Sequence, residues 1–314
     1  MKYDVYGIGN ALVDYLALVD DEFLTKNNIQ KGIMTLVDFP GTEKSLEDNP
    51  KGFERCSGGS AANTIVGVEK MGGKTCFSGK VANDPNGEFY RRDMETVGVD
   101  FFSNPIDGTT GSCVSFVTPD GQRSMLTHLG VSSDLTLSDI SEEFIANSTY
   151  LYIEGYQWST QTARGASIYA MELARKHNTR IAFSYSDPFM AKSFRDDFLN
   201  ITKEYVDLLF CNEDEAMAIA HESTPNAAID ILRSHAEMVC VTTGSDGAIV
   251  AVDGEVTATP ALRVNKVVDT TGAGDIYAAG VLRGLTTGFD FVCSSMIGSR
   301  MAAAAVSQIG ARLP

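Results

Sequence analysis

Residues 269–275 read Asp-Thr-Thr-Gly-Ala-Gly-Asp. Two carboxylates bracket a segment almost bare of side chains. The run that follows, Ile276 to Leu285, has the spacing of a helix rich in small residues. Gly272, Ala273 and Gly274 therefore fall at a helix start, where the first amides have no partner inside the helix. Those amides and the helix dipole make a site for an anion. Glycine lets a phosphate approach with no side chain in the way. Asp275 would stand in the first turn beside that anion, where it can act as a general base toward a hydroxyl. The amides would hold the charge that develops on a transferred phosphoryl group. The competing reading is a plain capped helix start, for which Thr, Asp and Gly are common. Val267 and Val268 would close a strand just before it.

A second acid stands out. Asp14 interrupts the apolar run from Ala11 to Val19, and a buried carboxylate with no partner is costly, so its retention points to a function. Other motifs carry less. Gly7-Ile8-Gly9 follows a strand, but the third glycine of a dinucleotide fingerprint would fall on Leu12. Gly72-Gly73-Lys74-Thr75 looks like the end of a phosphate-binding loop, yet Val68 stands where its first glycine belongs, and the order is helix, turn, strand. The six cysteines include no C-x-x-C pair and only four histidines are present, so a structural zinc site is not expected. Scattered cysteines suit reduced thiols in the cytoplasm.

The elements needed to position these residues can be read in outline. Tyr3–Ile8 reads as a first buried strand and 34–37 as another short one, with a polar helix-like stretch between them. Residues 40–55, with Pro40, Gly41 and Pro50, read as loop. Ser57-Gly58-Gly59-Ser60 leads into a tightly packing helix, and residues 75–81 form the next strand. A helix over 87–97 precedes strands at 113–118 and 124–128, which flank a Pro119-Asp120-Gly121 turn. Strands then alternate with helices: strands near 149–153, 180–184, 207–210, 238–242 and 247–252, helices near 161–177, 190–200, 213–221, 226–235, 274–287 and 289–308. Such alternation implies an α/β fold with a mostly parallel central sheet and helices on both faces. The early hairpin strands would add a small antiparallel lid from about 12–38 and 108–130, inserted in a single domain over 1–314.

The totals agree with an enzyme. The 314 residues suffice for one large α/β domain. A net charge of −16 argues against a nucleic-acid partner, which needs basic patches. The first ten residues lack the apolar core of a signal peptide, and no run long enough to span a membrane occurs, so the expected setting is cytoplasmic with no membrane partner.

The chain resembles the PfkB, or ribokinase-like, carbohydrate kinases. Asp269–Asp275 looks like that family's C-terminal signature. Ser57-Gly58-Gly59-Ser60-Ala61-Ala62-Asn63 is similar to its glycine-pair segment. Asn212-Glu213-Asp214-Glu215 is similar to its N-x-x-E motif, and Thr242-Thr243-Gly244-Ser245-Asp246-Gly247 to its nucleotide loop. The four stand in the family's order and spacing. The adenosine kinase branch is the nearest likeness, through Gly9–Asp14, Thr110–Cys113, Arg123-Ser124, Tyr152–Gly155, Val206–Phe210 and Ala302–Ser307.

The resemblance implies a ribokinase-like fold and an ATP-dependent phosphotransferase. Asp275 would be the base, and Gly272, Ala273 and Gly274 the anion hole. Arg123 would come down with the lid onto the phosphate. Asn10, Asp14, Gly58, Gly59 and Asn63 would bind sugar hydroxyls. Asn212 and Glu215 would organise Mg2+ and the ATP phosphates, largely through water. Thr242, Gly244, Gly247 and Thr270 would line the nucleotide. A monovalent cation such as K+ near the Asp269 loop is implied by the family alone, and the assembly is expected to be a monomer or a homodimer. Adenosine kinases place two aromatic residues after the Tyr152 strand. Here that position reads Tyr156-Gln157-Trp158, with Gln157 in place of the second aromatic, so Tyr156 or Trp158 would have to stack on a base, or Gln157 would hydrogen-bond a different base or a second sugar. The substrate is expected to be an adenosine-like nucleoside phosphorylated at its 5′-hydroxyl. The alternatives are a free or phosphorylated sugar, and a non-catalytic binding protein of the same fold.

Overall fold

Apolar runs that are buried from end to end form the spine of the molecule. The structure, a computed structural model, describes residues 2–38, 41–42, 44–45, 52–120 and 122–313. The chain begins with β1 (Tyr3–Ile8), β2 (Leu12–Leu18), α1 (Asp21–Lys26), β3 (Met34–Leu36), β4 (Glu54–Gly58), α2 (Ser60–Lys70) and β5 (Thr75–Ser78). It continues through α3 (Pro85–Thr96), β6 (Asp100–Phe102), β7 (Gly111–Val117), β8 (Arg123–His128), α4 (Glu142–Ala146), β9 (Ser148–Glu154), α5 (Gln161–His177) and β10 (Arg180–Ser184). Then come α6 (Pro188–Ser193), α7 (Arg195–Tyr205), β11 (Leu208–Asn212), α8 (Glu213–Ala220), α9 (Pro225–Leu232) and β12 (Met238–Thr242). The last elements are β13 (Ala248–Val252), β14 (Glu255–Thr259), α10 (Ala273–Thr286) and α11 (Phe291–Ala305).

The large sheet has the order β14-β13-β12-β11-β10-β9-β1-β5-β6. It is parallel from β12 to β6, and β13 and β14 join by antiparallel ladders. Alternate residues of its strands feed two apolar layers. Tyr6, Ile8, Leu151 and Ile153 join one, around Trp158, Phe183 and Phe198. Val5, Tyr150 and Tyr152 join the other, around Ile65, Phe77 and Ala279. Helices therefore cover both faces, as parallel strands require.

The small sheet runs β3-β8-β7-β2-β4. The hairpin ladder β7–β8 and the β2–β4 ladder are antiparallel, and β2–β7 and β3–β8 are parallel. Its β4 falls where a loop was expected. Glu54 and Arg55 are exposed and polar, and only pairing to β2 makes the segment a strand. Residues 41–42 and 44–45 are helical, while Pro40, Pro50 and Gly121 lie outside the described residues.

Other boundaries shift. The helix expected over 190–200 is two, α6 and α7, meeting at Phe194. The last helix stops at Ala305, and residues 306–313 are irregular. Val267 and Val268 form no strand; Val268 N–H bonds instead to the Val306 carbonyl. The glycines of the Gly7-Ile8-Gly9 decoy are explained by packing. A Cβ on Gly7 would strike Ile65, and one on Gly9 would lie 2.6 Å from Glu154 Oε2.

Small residues set the distances that matter for the site. A Cβ on Gly67 of α2 would come within 2.7 Å of Ala279 on α10, and one on Gly280 within 2.6 Å of the Gly298 backbone on α11. The helices approach closely through these bare positions, and α10 is thereby laid against α2.

Candidate active site

Consecutive strands run one way along the sheet from β9 to β12 and the other way from β1 to β6, so the order reverses between β1 and β9. Open α/β sheets bind ligands at the carboxyl edge beside such a reversal. Asn10 follows β1 there, and Glu154, Tyr156 and Gln157 end and follow β9.

Asp275 sits half-buried in the first turn of α10. Its Oδ1 accepts from Ser60 Oγ at 2.7 Å, and its Oδ2 from Asn63 Nδ2 at 3.1 Å. Burial raises its pKa to about 6, the two hydrogen bonds oppose the rise, and the charge of Asp14 adds to it. A carboxylate tuned this way is a better base near neutral pH than a solvated one. Gly272 caps α10 at φ 68, a left-handed conformation, and a Cβ there would press on Ala311. Gly274 is exposed, and a Cβ on it would meet nothing within 4 Å. The helix head is therefore open on its Gly274 side and covered by Ala311 on its Gly272 side.

Asn10 is buried. Its amide donates to Glu154 Oε1 at 2.7 Å, and its Oδ1 accepts from Gln157 Nε2 at 3.2 Å. Glu154, wholly buried, takes the Ala61 amide on Oε2 at 2.7 Å and Gln157 Nε2 on Oε1 at 3.3 Å. One carboxylate thus ties the end of β1 to the start of α2. Burial raises its pKa to about 7, against three donors that favour the charge. Sequence reasoning gave Glu154 no role, because a glutamate at a strand end reads as surface. Two acceptors in this layer, Gln157 Oε1 and Asn63 Oδ1, are buried with no partner among the described residues. Such atoms await a hydrogen-bonding ligand or water.

Asp14 enters from the small sheet, in register with Cys56 on one side and Cys113 on the other. A Cβ on Gly58 would lie 2.2 Å from Asp14 Oδ2, so that glycine makes the room for the carboxylate. Gly59 has φ 105, with the Asn10 carbonyl where a Cβ would be. Asp14 is pushed to a pKa of about 6 by burial, opposed by Arg123 and Arg312. Arg123, on β8, donates to Ser115 Oγ, and its Nη1 stands 3.7 Å from Oδ2 of buried Asp269. Its Nε and Nη1 have no hydrogen-bond partner among the described residues. Asp269 also accepts from the Thr271 and Gly310 amides.

The residues that the family resemblance assigns to the nucleotide and its metal follow the later strands of the same sheet. Asn212 and Glu215 close a reciprocal capping box at the head of α8: Asn212 Nδ2 donates to Glu215 Oε1 at 2.7 Å, and the Glu215 amide donates to Asn212 Oδ1 at 2.9 Å. Glu215 is buried, and its pKa rises to about 7, mainly by burial, with Asp187, Asp214 and Asp275 adding to the rise. Among the described residues no group of three or more His, Cys, Asp or Glu side chains could hold a metal ion. Thr242 ends β12, Gly244 and Gly247 take positive φ in the turn after it, and Thr270 is exposed. The Thr270 carbonyl accepts from the Ala273 amide at the head of α10, and no hydrogen bond among the described residues joins Thr242, Gly244 or Gly247 to Asp275. Trp158 cannot stack on a ligand. It is 1% exposed and packs edge-on against Phe183 and Phe198, because its apolar ring belongs to the core. Tyr156 is half-buried and remains at the edge.

At the head of α10 the Ala273 amide donates to the Thr270 carbonyl at 3.2 Å, so only the Gly272 and Gly274 amides of the expected anion hole lack a partner among the described residues. Such a helix head beside a carboxylate of raised pKa suits transfer of a phosphoryl group to a hydroxyl, the chemistry of a small-molecule phosphotransferase. The chain belongs to the pfkB family of carbohydrate kinases, which it matches over residues 29–314. The crystal structure of adenosine kinase from Sinorhizobium meliloti is similar with a TM-score of 0.92 and 38% identity, over 99% of this chain and 96% of that one. Adenosine kinase 2 of Arabidopsis thaliana is 28% identical over 90% of this chain and 88% of its own length. The 5-dehydro-2-deoxygluconokinase of Bacillus licheniformis is 29% identical over 82% of each. The chain is thus a carbohydrate or nucleoside kinase with a hydroxyl acceptor. Kinases of this family use ATP, and with it a divalent cation such as Mg2+. Among the described residues no helix is long and apolar enough to cross a membrane.

Proposed function

We propose that this kinase moves the γ-phosphoryl group of ATP to the 5′-hydroxyl of an adenosine-like nucleoside, with Asp275 as the base. The observation that carries the mechanism is the Asp275 carboxylate held by Ser60 and Asn63 at the open head of α10.

The acceptor sugar lies between the small sheet and the carboxyl edge of the large one. Asp14 and Asn63 face its hydroxyls, since one carboxylate can accept from two vicinal hydroxyls. Gly58 and Gly59 let the ring approach the backbone, and Asn10 lines the far wall. Asp275 takes the proton as the hydroxyl oxygen attacks phosphorus and the bond to the ADP oxygen breaks. The amides of Gly272 and Gly274 and the Nε and Nη1 of Arg123, which have no hydrogen-bond partner among the described residues, hold the charge on the phosphoryl oxygens, and the Ala273 amide would have to turn from the Thr270 carbonyl to join them. Asn212 and Glu215 would hold Mg2+ through water, and that ion would neutralise the ATP phosphates. Thr242, Gly244, Gly247 and Thr270 border the nucleotide.

The nucleoside is supported by the identity with the Sinorhizobium meliloti adenosine kinase and by Tyr156, which keeps an aromatic edge at the site. One observation favours a second reading. Gln157 is buried, with its amide nitrogen turned to Asn10 and Glu154, so it extends the sugar-side network and offers no stacking face. A free or phosphorylated sugar would need no stacking partner. ADP release with MgATP decides between them when adenosine, inosine, guanosine, cytidine, ribose, fructose and fructose phosphates are compared as acceptors. The nucleoside reading expects adenosine to give the highest kcat/KM; turnover with sugars alone would replace it.

A further inference from the structure

The segment after α11 folds back over the head of α10. The Val306 carbonyl accepts from Val268, the Gly310 amide donates to Asp269 Oδ2, and Lys70 Nζ donates to the Leu313 carbonyl. Leu313 packs with Ile276 and Ala305. From this strap Arg312 reaches across to the small sheet. Its Nη1 meets Asp93 Oδ2 at 3.1 Å and its Nη2 meets Ser57 Oγ at 2.6 Å. The Ser57 amide and hydroxyl both donate to the same Asp93 oxygen, at 2.8 and 2.6 Å. Arg312, Ser57 and Asp93 thus close a ring that joins segment 306–313 to β4 and α3. Ser57 directly precedes the Gly58-Gly59 step that makes room for Asp14.

We propose that Arg312 is a positioning residue of the acceptor site: it fixes the Ser57–Gly59 strand end and holds a positive charge beside Asp14, so that Asp14 meets the acceptor as a carboxylate. This rests on the kinase reading above. Asp93 already has two donors from Ser57, so the ring does not need Arg312 to satisfy Asp93. What Arg312 adds is charge and the link to the strap. Asp14 has no hydrogen-bond partner among the described residues, and the groups whose fields reach it come from every side. Arg123 on β8 and Arg312 favour its ionised form. Asp275 on α10 interacts with it unfavourably, and the thiols of Cys56 and Cys113 and the phenol of Tyr90 are each held more strongly protonated by its charge. Among the described residues Arg123 and Arg312 are the two cations that stand against these.

The test compares Arg312→Met, Arg312→Lys and Ser57→Ala with wild type, by steady-state kinetics and by calorimetric binding of adenosine from pH 5 to 8. Binding is also read in the Asp275→Asn background, which removes the other carboxylate in that field. Arg312→Met is expected to raise the acceptor KM ~10-fold with the MgATP KM unchanged, and to move the acid limb of adenosine binding up by about one pH unit. Arg312→Lys should return the limb to its wild-type place while recovering only part of the KM. Ser57→Ala keeps the charge and should raise KM without moving the limb. It also serves if Arg312→Met does not fold. An acceptor KM and an acid limb equal to wild type in Arg312→Met, or an unchanged KM in Ser57→Ala, overturns the proposal. A wild-type protein that turns over no acceptor sinks the kinase reading instead, a result these variants cannot imitate.

Discussion

At the scale of single residues the site is built from carboxylates held out of water. Asp14 and Asp275 ordinarily titrate near 3.8 and are pushed to about 6; Glu154 and Glu215 ordinarily titrate near 4.5 and are pushed to about 7. Burial is the largest cause in each. On the proposed reading the consequence for Asp275 would be catalytic, because a base of pKa about 6 is ionised at neutral pH yet has real proton affinity. Asp275→Asn keeps the size of the side chain and one of the two acceptor oxygens, but sets an NH2 where the other accepts, and it cannot take the proton. It should lower kcat by roughly 10²–10⁴-fold with MgATP binding retained; turnover within a few fold of wild type would remove Asp275 as the base. The sign of the stability effect follows from the same shift. A group with a raised folded pKa contributes stability that is whole below its unfolded pKa and lost as the pH rises through the folded value. For Asp275 that window runs from 3.8 to about 6. At pH 8 the ionised group is a liability, so Asp275→Asn should melt higher there than wild type. The gain is on the order of 1 kcal/mol after discounting for partial exposure. The difference should vanish near pH 4. Equal melting temperatures at both pH values would mean the carboxylate is not strained by burial.

At the scale of elements, glycines decide how near the parts come. Gly58 ends β4 under the Asp14 carboxylate, and an added Cβ would lie 2.2 Å from Oδ2. Since β4 pairs with β2 on one side only, the strand can shift to relieve the clash. Gly58→Ala should therefore fold, displace Asp14 and raise the acceptor KM by ~10-fold or more, leaving the MgATP KM unchanged. An unaltered acceptor KM would show that Asp14 does not face the acceptor. This arrangement was partly legible in the sequence. The parallel strands declared themselves as continuous apolar runs, and the head of α10 as glycines before a helical pattern. β4 was hidden, because Glu54 and Arg55 have no strand-like patterning and owe their conformation to β2. Arg312 was hidden too. It lies beyond the last periodic residue, in a segment whose shape is fixed by contacts with Asp269, Ile276 and Lys70, all distant in sequence. The Asn212–Glu215 pair was legible as a motif, and the structure shows its capping reading as reciprocal hydrogen bonds at the head of α8.

At the scale of the whole molecule, the question is how the small sheet is coupled to the large one. The described contacts that tie the small sheet down at the site include Arg123 to Asp269, Arg312 to Ser57 and Asp93, Ser57 to Asp93, and the Tyr90 hydroxyl to the Gly58 carbonyl. Arg123 is the more exposed to chemistry, with Nε and Nη1 unpartnered and its ion pair to Asp269 a loose 3.7 Å. A phosphoryl group at the head of α10 would give those donors the acceptor they lack, and would draw the small sheet down over the acceptor. That closure has a second consequence. Water competes with the sugar hydroxyl for the phosphoryl group, and a covered site excludes it. Arg123→Met keeps the bulk of the side chain and loses the charge. It should lower transfer to the acceptor by about 10²-fold and, in addition, raise the fraction of ADP formed without phosphorylated product. Measuring ADP and phosphorylated acceptor in the same reaction separates the two effects. A fall in transfer with the two products still equal would confine Arg123 to charge stabilisation. Excess ADP would mean that the same guanidinium also holds the small sheet closed.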